Sequence, residues 1–370
     1  MRLETRTAGL GGPPVEIVSA SAYTIPTDGP ESDGTLEWDS TTIVVAEVHG
    51  GHRVGVGWTY GPPSVAQLIA DLLADAVEQT SIFDIGAAHR AMRVALRNAG
   101  TSGAGAMALS AVDVALWDLK AKLLGVSVAS LLGPVHAEVP VYGSGGFCSY
   151  SLGELAEQLG GWVAEGIPRV KMKVGREPAD DLERVRAARD AIGPDAELYV
   201  DANGALSVKQ ALRFAERYAE LGVGWFEEPV SSRNLDGLRL LRDRAPAGMD
   251  VAAGEYASTL LEFRDLVDVV DCLQADVTRC GGITGLLAAA AVAEAHELDL
   301  SGHTAPTIHM QALTAVPKLR HLEWFHDHVR IERMLFDGFV EPDGGAVRPD
   351  HDRAGLGVEL RRADAERYAA

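Results

Sequence analysis

Along the chain the spacing of apolar positions changes character twice. Val15 to Tyr23 and Thr41 to Val48 are rich in β-branched residues, and Arg53 to Trp58 continues the pattern after His49-Gly50-Gly51-His52, a hairpin-type turn. Three strands are predicted here. Between the first two, Ile25 to Ser40 holds Pro26, Asp28-Gly29-Pro30 and Asp33-Gly34 and predicts a long exposed loop, of a length that often forms a lid. Apolar residues at 65, 68, 69, 72, 73 and 76 then take up the helical period over Ser64 to Glu78. Ala87 to Asn98 behaves similarly. Ala104 to Leu124 is apolar on most sides, so it should be buried between two layers, with Gly125 as its stop. Residues 1–14 read as a loose arm, and 15 to about 135 as a small α+β unit.

From Val139 the pattern becomes a regular alternation. Strands are expected at Val139–Ser144, Arg169–Val174, Glu197–Asp201, Gly224–Glu227, Asp250–Glu255, Cys272–Asp276, Leu298–His303 and His321–Phe325. Helical stretches separate them: Leu152–Glu165, Ala179–Ile192, Ser207–Leu221, Leu235–Arg244, Leu260–Val267, Gly285–Glu297 and Ile308–Pro317. Eight strands alternating with helices indicate an α/β fold with a closed parallel barrel. An open doubly wound sheet is the alternative, but no GxGxxG follows its first strand. The Gly- and Pro-bearing tail from Gly338 is too irregular for another unit and is expected to return to the first domain. The division expected is 1–135, 136–335 and 336–370.

Charge narrows the range of partners. Acidic residues outnumber basic ones 53 to 33, for a net charge of −20. A nucleic-acid backbone or an anionic membrane is a poor partner for such a chain. Cys148, Cys272 and Cys280 form no CxxC pair and cannot all pair with one another, so the expected compartment is a reducing cytoplasm. Met1 to Val15 has no apolar core of a secretory signal. Leu286 to Ala293, the most apolar run, is far below the roughly 20 residues of a membrane span.

Candidate chemistry gathers at the strand C-termini, the face where such barrels carry their sites. Lys171 and Lys173 are two apart on one strand and point the same way. Two close ammonium groups depress each other's proton affinity, so one could act as a base; the alternative is a pair of surface lysines. Asp201, Glu227 and Glu255 end the next three strands at intervals of 26 and 28 residues, one strand-helix unit each. Three converging carboxylates suit Mg²⁺. Glu228 faces the other way from Glu227, so only one of the two should be a ligand. Asn203 could aim its amide at a substrate hydroxyl. Asp276 and His303 end the sixth and seventh strands, and the carboxylate could set the histidine's tautomer and basicity. Glu323 is either a protonated donor to an oxyanion or the partner of Arg320 or Arg330. Ser144, Trp58 and Tyr60 complete the candidate substrate-binding set. His321, His326 and His328 surround Glu323 as a second metal site, an anion-binding rim or nothing in particular.

These residues resemble the enolase superfamily, and within it the mandelate racemase-like subgroup. The resemblance is carried by Ala111-Val112-Asp113-Val114-Ala115-Leu116-Trp117-Asp118-Leu119-Lys120, Leu131-Leu132-Gly133, Lys171-x-Lys173, Asp201-x-Asn203, Trp225-Phe226-Glu227-Glu228-Pro229, Gly254-Glu255, Asp276 with Gly281-Gly282, Ser301-Gly302-His303 and Glu323. It implies a modified TIM barrel of (β/α)7β type, with an N-terminal α+β capping domain completed by the C-terminal tail. It also implies Mg²⁺, with Mn²⁺ as a substitute, on Asp201, Glu227 and Glu255, and a small carboxylate substrate. Lys173 and His303 would stand on opposite faces of that substrate, Asp276 behind His303, with Lys171 and Glu323 binding its carboxylate and developing oxyanion. The implied reaction is removal of the α-proton to give a metal-stabilised enediolate. Asp276 argues against the muconate-cycloisomerase-like subgroup, which has a lysine there. Dehydration of a sugar acid to a 2-keto-3-deoxy acid, by a hydro-lyase, is the favoured outcome; racemisation of a 2-hydroxy acid is the second. A Schiff-base lyase using Lys173 would leave the carboxylates without a role, and a non-enzymatic binding module would not need the full set. The resemblance further implies a homo-oligomer.

Overall fold

The β-branched runs near the N-terminus pair as an antiparallel sheet of β1 (Ile17–Ser32), β2 (Glu37–Gly50) and β3 (Arg53–Tyr60). This computed structural model describes residues 11–370, so most of the expected loose arm lies outside the described residues. Its last four residues are tied down: Ile82 N–H donates to the Pro13 carbonyl and Pro14 pairs with Ser81.

The expected loop over Ile25–Ser40 is largely a hairpin extension. The β1–β2 ladder runs to Pro26–Ser40, skips a bulge, and resumes at Glu31–Trp38 and Ser32–Glu37. A bulge absorbs the residues around Asp28-Gly29-Pro30 without ending the pairing. Only residues 33–36 remain as a turn, and its tip sits on the barrel. A Cβ at Gly34 would lie 2.3 Å from the Ala202 carbonyl oxygen and 2.8 Å from that of Val174, so only glycine permits this approach.

From residue 139 the eight expected strands form a closed parallel barrel: β4 (Val139–Gly145), β5 (Arg169–Lys173), β6 (Glu197–Asp201), β7 (Val223–Glu227), β8 (Asp250–Ala253), β9 (Cys272–Ala275), β10 (Asp299–Gly302) and β11 (Leu319–Phe325), with β11 pairing β4 to close the ring. Helices pack outside it, and His326–Leu335 leads the chain from β11 towards the tail. Because side chains alternate, Tyr199 and Trp225 point into the barrel together with Asp201 and Glu227 two residues on. With Tyr142, Ala252 and Cys272 they form a buried layer under the carboxylates.

Two devices fix the first sheet to the barrel. The Ala104–Leu124 helix places Asp113 against the start of the Gly282–Ala295 helix, where the carboxylate accepts from Thr284 N–H at 3.0 Å and Oγ1 at 2.7 Å. The tail supplies the other: Ala346–Val347 pairs with β4, and Leu356 N–H donates to Asp118 Oδ1 at 2.7 Å. Asp118 also accepts from Val56 N–H at 2.7 Å and pairs with Lys122 at 2.6 Å. One buried carboxylate thus joins β3, the long helix and the tail. Asp118→Ala leaves two buried N–H groups unpartnered and should cost about 3 kcal/mol of unfolding free energy. Urea denaturation checks this; a loss below about 0.5 kcal/mol would contradict the role given to Asp118.

Candidate active site

Lys171, Lys173, Asp201 and Glu227 leave the barrel strands at their C-terminal ends and converge because each is spaced by two from another inward residue. Glu255, Asp276 and His303 lie just past β8, β9 and β10. Gly254 makes the first of these turns possible: its φ is +138°, and a Cβ there would lie 2.0 Å from the Gln274 carbonyl oxygen.

All of these side chains are buried, and their contacts are dense. Lys171 Nζ lies 2.5 Å from Glu227 Oε1, 2.8 Å from Glu323 Oε1 and 3.5 Å from Asp201 Oδ2. Lys173 Nζ donates to Asp201 Oδ2 at 2.5 Å. His303 Nδ1 is 2.8 Å from Asp276 Oδ2, and Nε2 is 2.9 Å from Glu255 Oε2 and 3.4 Å from Glu323 Oε2. Asp276 is held from the other side by Thr278, whose N–H and Oγ1 both donate to Oδ1 at 2.7 Å.

Two expectations about protonation need correction. The lysines do not depress each other into the neutral range. Burial, the largest single influence, favours the neutral amine, but Asp201 together with Glu323 and Glu255 outweighs burial and Lys171 and holds Lys173 above its ordinary range. Lys171 is raised in the same way by Glu227 and Glu323. Nor is Glu323 a protonated donor in this arrangement. Burial would raise its pKa, but Lys171 and His303 bring it down to about 2. Its cation is Lys171, since Arg320 pairs with Asp250 and Asp299, and Arg330 with Asp327.

Asp201, Glu227 and Glu255 each offer an oxygen within 4.8 Å of the others, a set of hard donors suited to a divalent cation. Charge gives the same answer. Counting Glu228, Asp276 and Glu323, six buried carboxylates face the four cationic groups of Lys171, Lys173, His303 and Arg279, an excess of two negative charges. With all six ionised that excess would stand, and burial answers most of it by raising Glu227 to about 8 and Glu228 well above the carboxylate range. Glu255 Oε2, Glu323 Oε2 and Asn203 Oδ1 are buried without a hydrogen-bond donor, though His303 lies close to the two glutamates.

The other sequence candidates separate. Asn203 faces the cavity, its Nδ2 3.4 Å from Glu255 Oε1. Tyr60 lines the cavity edge with its hydroxyl on Glu332 at 3.2 Å. Trp58 does not line it: the indole is stacked on Phe336 at 4.3 Å and donates to Glu332 at 3.1 Å, so it belongs to the interface between sheet and barrel. Ser144 is also fully buried, donating to Glu323 Oε1 at 2.6 Å, which makes it a support for Glu323. The three histidines around Glu323 share no site. His321 lies inside the barrel on Ser301, His326 is 4.0 Å from Glu31, and His328 stacks on Tyr60.

The cavity above these groups has a volume of about 320 Å³ and is roofed by the β1–β2 turn. Asp33 and Leu36 from that turn and Trp38 from the start of β2, with Tyr256, Arg279 and Phe325 from the barrel, are lining residues that sequence reasoning did not single out. A turn at Asp33-Gly34 was visible, but not that it would seat on β5 and β6.

A family model for the mandelate racemase / muconate lactonizing enzyme N-terminal domain matches residues 32–133, and one described as enolase C-terminal domain-like matches 154–365. The chain belongs to the mandelate racemase / muconate lactonizing enzyme family. Within the enolase superfamily it falls in the mandelate racemase-like subgroup. An L-talarate/galactarate dehydratase of Salmonella typhimurium is 31% identical over 96% of this chain and 91% of its own. A mandelate racemase/muconate lactonizing enzyme-like protein from Rubrobacter xylanophilus is 58% identical in structure-based alignment, with a TM-score of 0.95 over 96% of this chain and 99% of its own. A racemase from Streptomyces coelicolor with bound magnesium is 29% identical, with a TM-score of 0.90 over 96% of this chain and all of its own.

The dyad in this family member gives a titration to observe. Burial alone would lower the His303 pKa, but Glu255, Glu323 and Asp276 outweigh it and raise it to about 10. The stabilisation from these pairs is therefore full below about pH 6.5 and is lost as pH rises through about 10. NMR of the metal-free protein should show the His303 ring titrating far above neutrality, and Asp276→Asn should bring the midpoint down. A midpoint near 6.5 in the unaltered protein would contradict this geometry.

Proposed function

We propose that this protein removes the proton α to the carboxylate of a sugar acid and eliminates the β-hydroxyl as water, giving a 2-keto-3-deoxy acid. The observation that carries this reading is that Lys173, from β5, and His303, beyond β10, enter one cavity beside a carboxylate trio. The site residues are assigned on that basis: Asp201, Glu227 and Glu255 as ligands to Mg²⁺, Lys173 and His303 as proton carriers, and Lys171 and Glu323 at the substrate carboxylate. Asp201, Glu227 and Glu255 would hold the divalent cation, which would compete with Lys173 for Asp201 and supply positive charge opposite the negative charge that develops on the substrate.

The chain's own groups do the rest. Lys171 neutralises carboxylate charge next to Glu323, which Ser144 orients through its hydroxyl. Lys173 Nζ, neutral once its proton has passed to solvent through the cavity, takes the α-proton while the C–H electron pair moves into the substrate. His303 Nε2 gives a proton to the β-hydroxyl as its C–O bond breaks and water leaves with the bonding pair, and Asp276 on Nδ1 keeps the ring presented by that nitrogen; the remaining enol takes a proton at the β-carbon and loses its O–H proton to give the 2-keto acid. Asn203, on the cavity wall, is assigned to a substrate hydroxyl through its amide.

The division of labour proposed is a capping domain over 1–135, a catalytic barrel over 136–335 and a returning segment over 336–370. No helix among the described residues is long and apolar enough to cross a membrane. A cytoplasmic location is inferred from the three free cysteines. A homo-oligomer is inferred from the family resemblance, and light scattering decides it.

Lys173→Ala and His303→Asn should each lower kcat for the sugar-acid substrate by about 10³-fold or more, and EDTA should abolish turnover until Mg²⁺ is restored. Dehydration followed by keto-acid release, with α-proton exchange in D₂O, is the readout. Turnover that survives both substitutions would remove the assignment. Exchange with inversion at the α-carbon and no keto acid would place the racemase reading first.

A further inference from the structure

The cavity carries its positive charge at one end. Lys173 is spent on Asp201, and His303 lies between Asp276 and Glu255. Arg279 is 3.4 Å from Asp276 Oδ2 and 3.3 Å from the Glu255 carbonyl oxygen, with its guanidinium 5.1 Å over the Tyr256 ring. All three groups serve the metal and proton-transfer end.

The opposite end is built by the capping domain. It supplies nine of the described lining residues, and none of the nine is Lys, Arg or His. Their one charge is Asp33, which is only 7% exposed. Its place is well defined. Asp33 Oδ1 accepts from the N–H groups of Thr35 at 2.6 Å and Leu36 at 2.7 Å, and the neighbouring Gly34 is seated on the carbonyls that end β5 and β6. Trp38 is fixed by its indole N–H on Glu31 at 3.0 Å. His328 reaches this side from the barrel, stacked on Tyr60, and burial keeps its ring neutral.

A substrate whose reacting carboxylate sits at the metal end must place its far end against this surface. A second carboxylate there would meet Asp33 and find no Lys, Arg or His among the capping-domain residues that line the cavity, the nearby Arg176 being paired with Glu37. A hydroxyl would instead donate to Asp33. Resting on the function proposed above, we propose that the substrate is a monocarboxylic sugar acid of the aldonate type, and that Asp33 and the uncharged roof reject diacids.

Matched pairs of aldonates and aldarates, of the same carbon number and configuration, test this with the full-length enzyme and Mg²⁺. Solvent-deuterium exchange and keto-acid formation are both read. The best aldonate should exceed its matched aldarate in kcat/KM by about 100-fold or more. Asp33→Asn keeps the oxygen that holds the turn but removes the charge, and should narrow that ratio about tenfold at an unchanged melting temperature. Equal or better use of the aldarate overturns the proposal and leaves the dehydratase reading intact. Failure of both classes to exchange or dehydrate removes the dehydratase reading and this inference with it. An unchanged ratio in Asp33→Asn overturns the role of Asp33.

Discussion

Six carboxylates are buried at one end of a barrel, and the surrounding fold is arranged to answer their charge. Asp201, Glu227, Glu228, Glu255, Asp276 and Glu323 are each 2% exposed or less. Desolvating that much charge is tolerable only where each group has a partner. The partners define the site: Lys171 and Lys173 from one strand, His303 from the far side and Arg279 behind it. Even so, negative charge is in excess by two. Burial, with the neighbouring carboxylates, raises Glu227 and Glu228, and the excess that appears when they ionise suits a divalent cation, so stability and chemistry impose one demand.

The scaffold serves this demand from the outside. Tyr142, Tyr199 and Trp225 pack the barrel below the acids, and Trp225 donates to Glu227 at 2.9 Å. Asp118 and Glu332 hold the capping sheet to the tail and to the barrel, and the sheet in turn sets its β1–β2 turn over the cavity. The roof's chemistry is separable from the floor's, which is how related barrels could keep one proton-transfer apparatus and differ in substrate.

The floor was legible in the amino-acid order because it follows from periodicity. One residue at each strand end, at intervals of one strand-helix unit, brings Asp201, Glu227 and Glu255 together whatever the side chains between them. Groups whose state depends on neighbours from distant strands were less legible. The pairing of Lys173 with Asp201 and of Glu323 with Lys171 reverses the protonation expected of each residue alone. Trp58 and Ser144 look like substrate contacts by position, yet burial assigns them to support. The turn at residues 33–36 was read as part of a loop because a bulge hides the strand that continues past Asp28-Gly29-Pro30.

The proposed divalent-cation site is the carboxylate trio, in which Glu227 keeps a proton until the cation arrives. Calorimetric titration of the protein with Mg²⁺ at pH 7, repeated in buffers of different ionisation enthalpy, measures the protons released on binding. Saturable binding at one site with release of about one proton is expected, both lost in Asp201→Asn. Binding without proton release, or binding that Asp201→Asn leaves unchanged, would contradict it.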